Sequence, residues 1–389
     1  VIAVVGAGPV GLTAALVLSR AGLPVTVLEQ GSALGTTSRA STFHPATLDL
    51  LAGLGVAEEF VQLGRKVEDL QWRGRTGELL ARMDYAAIAD RTGHPFRLHA
   101  EQTALTPLLL MALEHVDVRW NTTVIGVRQD GSGVDLVTTN GTLRADHVIA
   151  ADGAHSSVRT SLGLDFPGLE YPTYAVRVIT DTELDRLLPG LSPMTYFRDP
   201  VQSCSVLGLP DHWRVILRLP HTADPANVPV QRLLHKALPT LAGRIEVREA
   251  HTYRTSRRVL DSYRHGRVLF AGDAAHLTST AGGMNMNCGI HDAVDLATSL
   301  AAALSTVVNG DLDEAPLDEA AARRRSVVTD HVIPRSEARV SGVDGQSGSV
   351  DAAVRELAAT ASDPVAAAEY LVQASMLDSA PLFEGSVAP

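Results

Sequence analysis

Three short stretches carry residue types suited to holding a phosphate-linked redox cofactor. They are Gly6-Ala7-Gly8-Pro9-Val10-Gly11, Asp152-Gly153-Ala154-His155-Ser156-Ser157-Val158-Arg159, and Gly272-Asp273-Ala274-Ala275-His276 with Ala281-Gly282-Gly283-Met284-Asn285-Met286-Asn287 after it. In the first, Gly6 permits a tight turn, Gly8 removes the side chain that would hold the backbone off a pyrophosphate, and Gly11 lets a helix lie close on a sheet. Glu29, followed by Gln30, is placed to accept hydrogen bonds from adenosine ribose hydroxyls, which argues against a phosphorylated ribose there. In the third, Asp273 can accept from a ribityl hydroxyl of a flavin, and Gly282-Gly283 let backbone approach a flat ring system. A helix entered at Cys288 or Gly289 would then aim its positive end at the ring edge that gains negative charge on reduction.

These groups need elements to hold them. The first glycine run follows an apolar strand, Val1 to Val5, and opens a helix with Leu12, Leu16 and Leu18 at helical spacing; a second strand, Val25 to Leu28, ends at Glu29. A helix is expected from Gln102 to Glu114, strands around Val118 to Val127, which holds Val124, and at Val134 to Thr138 and His147 to Ala150. Alternating segments at Tyr174 to Thr180, Ser203 to Leu209, Trp213 to Leu219 and Ile245 to Tyr253, separated by Pro, Gly and Asp turns, read as a mostly antiparallel sheet. A strand from Arg267 to Ala271 and a helix from Cys288 to Leu304 return to the cofactor theme. The expected fold is therefore α/β: a Rossmann-like cofactor domain of the GR2 type, discontinuous over residues 1–70, 97–170 and 258–330. A substrate-binding β-sheet domain (71–96 and 171–257) is inserted in it, and a helical segment (331–389) follows, with amphipathic helices from Asp351 to Ser375.

The chain of 389 residues is long for one core, and its 45% apolar content excludes general disorder. A net charge of −11 opposes nonspecific binding to nucleic acid. Arg323-Arg324-Arg325 lies in an Ala/Glu-rich helical stretch and reads as a solvated helix face. No apolar run reaches membrane-spanning length and no basic leader precedes the first glycine turn, so a cytoplasmic protein with no membrane partner is expected. Cys204 and Cys288 are too few for a disulfide framework, and the 14 histidines show no HExxH pair, so no metal is inferred.

With these motifs in place, the chain resembles the class A flavoprotein monooxygenases, the para-hydroxybenzoate hydroxylase family, from Val1 to about Leu304. The resemblance implies that Gly6, Gly8, Pro9, Val10, Gly11, Glu29 and Gln30 serve the ADP moiety of a noncovalent FAD, with Arg39 in the loop beside pyrophosphate and flavin. It places Gln102 at the start of the helix after a flavin-contacting turn. Val124 joins the cofactor set, and Asp152, Gly153 and Arg159 match the motif linked to both FAD and NAD(P)H. Gly272, Asp273, Gly282, Gly283, Met284, Asn285, Met286 and Asn287 match the flavin-ring segment. The pattern Ile290, Asp292, Ala293 and Leu296 on the following helix also fits.

The implied reaction is hydride transfer from a transiently bound NAD(P)H to FAD, formation of a C4a-hydroperoxide with O2, and hydroxylation of an electron-rich aromatic ring. A second glycine-rich motif, which a glutathione-reductase-like enzyme would carry, is absent. An FAD-dependent oxidoreductase without oxygen insertion is the alternative; a halogenase is opposed by the isolated Trp72, Trp120 and Trp213.

Two departures stand out: Ser279-Thr280-Ala281 replaces the family's proline before the glycine pair, and the thioredoxin-like C-terminal domain of larger relatives is not expected. His276 reads as a loop brace, Cys288 as a packed small residue, and Asp152 alternatively as a helix cap. His44, His99 and His251 are open candidates for the substrate site, and no substrate-deprotonating base is assigned. Only Lys66 and Lys236 represent lysine, a GC-rich composition that points to a phenolic or polycyclic natural-product substrate, with a hydroxybenzoate-like acid next. A monomer or homodimer is expected.

Overall fold

The computed structural model describes residues 1–37, 40–306, 313–344 and 347–381. Ile2–Val5 and Val25–Leu28 are wholly buried strands that pair in parallel, flanked by His147–Ala150 and Val268–Phe270 on one side and Asp117–Arg119 on the other. Arg264–His265 adds an antiparallel edge, completing a six-stranded sheet. Burial on both faces explains why the central strands Ile2–Val5, Val25–Leu28, His147–Ala150 and Val268–Phe270 are mostly apolar rather than alternating. The helices Pro9–Arg20 and Met284–Ser305 pack on each other, and Gly289 makes this close approach possible: a Cβ there would stand 2.9 Å from both the Gly272 Cα and a Val10 methyl.

The second large sheet has eight strands, in the order His276–Leu277, Glu249–Val259, Gly168–Thr180, Trp213–Pro220, Cys204–Gly208, Met194–Phe197, Asp69–Arg73, Leu79–Asp84. It is antiparallel except where Met194–Phe197 pairs with Asp69–Arg73, so the expected mostly antiparallel sheet is present. One face packs on the amphipathic helix Val230–Ala237, which the sequence reading did not anticipate. Tyr196 is on the opposite face, with Trp72 and the C-terminal helix Pro364–Ala374. The helical C-terminal part of the chain is as expected, with helices at Ile333–Asp344, Ser347–Ser362 and Pro364–Ala374.

Some boundaries differ. The stretch expected around Val118 to Val127 splits at Asn121, whose φ of 52° turns the chain, into an edge strand of the parallel sheet and Val124–Asp130 of a separate three-stranded sheet. The strand expected from Ile245 begins at Glu249, after a 3-10 turn at Ala242–Arg244. The long helix begins at Met284, not Cys288, because Gly283 adopts φ 67° and reverses the chain one turn earlier. Met284, Asn285, Met286 and Asn287 therefore occupy its first turn.

Candidate active site

The first glycine run turns between the strand Ile2–Val5 and the helix Pro9–Arg20. Gly6 has φ 104°, and a Cβ on Gly11 would lie 1.9 Å from the Gly6 carbonyl oxygen, so both positions are fixed by geometry. Gly8 differs: a Cβ there meets nothing within 4 Å, and the space opens at the helix N-terminus. The Glu29 carboxylate accepts from the Ala7 and Gly31 N–H groups, both at 2.8 Å, which stitches the two strand ends together. Each carboxylate oxygen keeps a further lone pair. Gln30 is exposed beside it, and a recess of about 320 Å³ lined by Leu28, Arg119, Trp120 and Asn140 opens at this end. Val124 is buried. Arg39 lies outside the described residues. Gln102 begins its helix and accepts from the Ala40 N–H at 3.3 Å.

Asp152 caps the short helix Ser157–Ser161 through Oδ2, accepting from the Val158 N–H at 3.2 Å, while its buried Oδ1 has no partner. Gly153 sits at φ 83°. Arg159 is buried and donates to the Ala274 carbonyl at 3.0 Å and the Ala154 carbonyl at 2.7 Å, tying the second motif to the third.

The third motif sits where the two large sheets meet. Val268–Phe270 belongs to the parallel sheet and His276–Leu277 pairs with Arg258 and Val259 of the eight-stranded one, so Asp273 is held at the seam. Asn285 donates from Nδ2 to Asp273 Oδ1 at 2.7 Å and accepts from His276 Nδ1 at 3.1 Å. His276 Nε2 donates to Asp292 Oδ2 at 2.7 Å, and Arg324 Nε donates to Asp292 Oδ1 at 2.9 Å. Both ring nitrogens of His276 thus face acceptors, which requires the imidazolium. Burial opposes that charge, but Asp292 outweighs it and holds the His276 pKa well above its ordinary value. Burial likewise pushes Asp292 up, yet His276 and Arg324 together bring it below the usual carboxylate range.

This network corrects the reading of Arg323-Arg324-Arg325 as a solvated face. Arg324 is 1% exposed and also donates to the Ser379 carbonyl, whereas Arg323 pairs with Asp295 nearer solvent. The signal was present: Leu317, Ala320, Ala321, Arg324 and Val328 share one helical stripe, all buried. His276 does brace the loop. Cys288 is fully buried, with Arg324 Nη2 donating to its sulfur at 3.4 Å. His276, Cys288 and Asp292 lie close together, but His276 as the imidazolium has no lone pair to offer a metal, and Asp292 is held by His276 and Arg324.

A second buried polar group stands beside the glycine pair. His44 Nε2 donates to the Gly282 carbonyl at 2.9 Å, which leaves Nδ1 an acceptor with no partner. Burial, then Arg97 and Arg339, push its pKa well down, so the ring is neutral. His99 repeats the pattern: Nδ1 donates to the Gly208 carbonyl at 3.1 Å, Nε2 is unpartnered, and burial lowers its pKa to about 3. His251 is exposed and paired with Glu249, away from this group. Arg97, Arg339, Tyr85 and Tyr196 complete the cluster. They were missed in the sequence because no motif or periodicity marks them.

The family described as FAD binding domain matches residues 1–333. A para-nitrophenol 4-monooxygenase of Pseudomonas sp. (strain WBC-3) is 33% identical over 351 residues, covering 87% of this chain and 85% of that protein. The chain belongs to the class A flavoprotein monooxygenases. A crystal structure of p-nitrophenol 4-monooxygenase from Pseudomonas putida DLL-E4 superposes with a TM-score of 0.89 at 29% identity, covering 98% of each chain. A ternary complex of aklavinone-11 hydroxylase with FAD and aklavinone gives 0.75 at 29% identity, covering 89% of this chain and 71% of that one. As a class A flavoprotein monooxygenase the chain uses FAD, NAD(P)H and O2. The residues fit FAD: open space at Gly8, a buried Asp152 oxygen lacking a donor, and a glycine-capped helix start are features that cofactor would fill. Among the described residues no helix is long and apolar enough to cross a membrane.

Proposed function

We propose that the chain hydroxylates a phenolic aromatic ring, with FAD held noncovalently along the three glycine-containing motifs. Gly6, Gly8 and Gly11 would cradle the pyrophosphate at the N-terminus of Pro9–Arg20, Glu29 would take the adenosine ribose, and Asp273 the ribityl chain, steadied by Asn285. The helix Met284–Ser305 would present its positive end to the flavin ring. Bound FAD supplies the redox chemistry, accepting hydride from NAD(P)H and passing the electrons to O2. The protein's own part is positioning and exclusion of water, since the groups beside the Gly282-Gly283 turn, His44, Arg97 and Tyr85, are buried away from solvent. His44 Nδ1 is an acceptor suited to a substrate hydroxyl.

The observation that carries this reading is the adjacency of the Gly282-Gly283 turn to a buried polar cluster under the eight-stranded sheet, in a fold shared along its full length with a nitrophenol monooxygenase. The similar proteins, a para-nitrophenol monooxygenase and an aklavinone hydroxylase, support an aromatic substrate. We include residues 1–70, 97–170 and 258–330 as the cofactor domain and 71–96 with 171–257 as the substrate domain. Incubation with NAD(P)H, labelled dioxygen and a panel of phenols tests it: one labelled oxygen in the product supports hydroxylation, and oxidation of NAD(P)H with unlabelled aromatic recovered supports the oxidoreductase reading instead.

A further inference from the structure

The Asn285 amide has two unlike ends, and its neighbours fix which of them Asp273 meets. The amide nitrogen stands 2.7 Å from Asp273 Oδ1, while the amide oxygen faces the other way and accepts from His276 Nδ1 at 3.1 Å. A carboxylate only accepts, so Asp273 requires the nitrogen. Thr278 Oγ1 lies 3.2 Å from the same amide oxygen, but a hydroxyl can donate or accept and would satisfy either end. His276 is therefore the second group that reads the direction of the amide.

What His276 reads depends on its own charge. Asp292 Oδ2 accepts from His276 Nε2 at 2.7 Å and from the Gly272 N–H at 3.2 Å, and Arg324 Nε donates to Oδ1 at 2.9 Å, so Nε2 keeps a proton in either charge state. A second proton on Nδ1 makes that atom a donor, which draws the Asn285 oxygen. Without it Nδ1 is an acceptor, which would draw the Asn285 nitrogen and turn the amide oxygen onto Asp273. The His276 and Asp292 side chains have no exposure, and the Tyr263 ring lies nearly parallel to the imidazole with centroids 6.0 Å apart, so the protein rather than solvent sets the state of the ring. Asp273 and Asn285 are only half-buried, and the set thus runs from a sealed interior outward to the cofactor motif. We infer that His276 is a positioning residue for FAD: bound as the imidazolium to Asp292, it holds the Asn285 amide with its N–H toward Asp273 and so keeps the Asp273 carboxylate turned to the ribityl hydroxyls. The inference rests on the reading that Asp273 takes the ribityl chain.

Titration of the apoprotein with FAD tests this. Asn285→Ala leaves the buried set of His276, Asp292 and Arg324 in place, and should keep a cooperative melt while weakening FAD binding roughly tenfold. His276→Gln offers the polarity of a neutral ring, its amide nitrogen to Asp292 and its oxygen to Asn285, and should weaken FAD by a similar factor. The double variant decides. If His276 acts through Asn285, His276→Gln should lose no further affinity in the Asn285→Ala background, whereas a general loss of packing would weaken FAD by the same factor in both. Should His276→Gln not fold, Asp292→Asn, which takes away the counterion of the imidazolium, replaces it in the same cycle. Equal losses in the two backgrounds, no loss in the wild-type background, or an Asn285→Ala variant with full affinity overturn the positioning role and leave the cofactor reading standing. An Asp273→Ala variant that binds FAD as wild type does overturns the ribityl assignment and the inference with it.

Discussion

Arg324 shows how strongly one side chain's surroundings set its worth. On a solvated face its loss would change stability by less than about 0.5 kcal/mol. Buried against Asp292 it should cost about 3–5 kcal/mol when replaced by Met, because Asp292 Oδ1 loses its charged partner and the Ser379 carbonyl loses a donor. Urea unfolding of the Arg324→Met variant measures this directly. Asp273 belongs to the same chain of contacts at its cofactor end. Asp273→Ala should weaken FAD binding roughly ten- to a hundredfold, the equivalent of one charge-assisted hydrogen bond, and a flavin titration that finds no change would show the ribityl assignment to be wrong. Since Cys288 is buried and engaged by Arg324, acid precipitation should release the flavin into the supernatant.

The turn between the first strand and first helix gives a paired test, because its glycines are glycines for different reasons. Gly8→Ala places a methyl in open space, so apoprotein stability should stay within about 0.5 kcal/mol of wild type. That methyl would stand where the pyrophosphate must approach, and FAD affinity should fall roughly tenfold or more. Gly11→Ala would instead force a methyl against the Gly6 carbonyl and should destabilise the fold itself by about 3 kcal/mol or more. Thermal melts of the two apoproteins, followed by flavin titration, separate the two roles. A Gly8→Ala variant that binds FAD normally would remove this helix start from the cofactor site.

Across the whole molecule, buried neutral histidines set the acid limit. Burial lowers His99 to about 3 and His147 to about 4, from an ordinary value of 6.5. Between pH 6.5 and these values the unfolded chain takes up protons that the folded chain refuses, so stability falls as pH falls. His99 alone accounts for about 2 kcal/mol of that loss by pH 5. His276 has the opposite sign: its pKa is raised, so its contribution is complete below 6.5 and disappears only as pH rises through its folded value. Denaturation midpoints from pH 7.5 to 5 should decline, and His99→Gln should make that decline shallower.

What the sequence determined was local. The turn at Gly6 to Gly11, the buried strands on either side of it, the alternating strands of the larger sheet and the Asp273 motif all rest on interactions within a few residues or on a repeating period. Those patterns were sufficient for the fold class and the cofactor. Tertiary structure decided the rest, because burial and charge compensation join residues distant in the chain. Asp292 meets an arginine 32 positions later, and His44 meets a carbonyl 238 positions away. Arg97 lies in an unremarkable strand, and only the packing of the eight-stranded sheet and the C-terminal helix around it takes away its water without supplying a carboxylate. A side chain's type fixes what charge it can carry; the fold decides whether that charge meets solvent, a counterion, or neither.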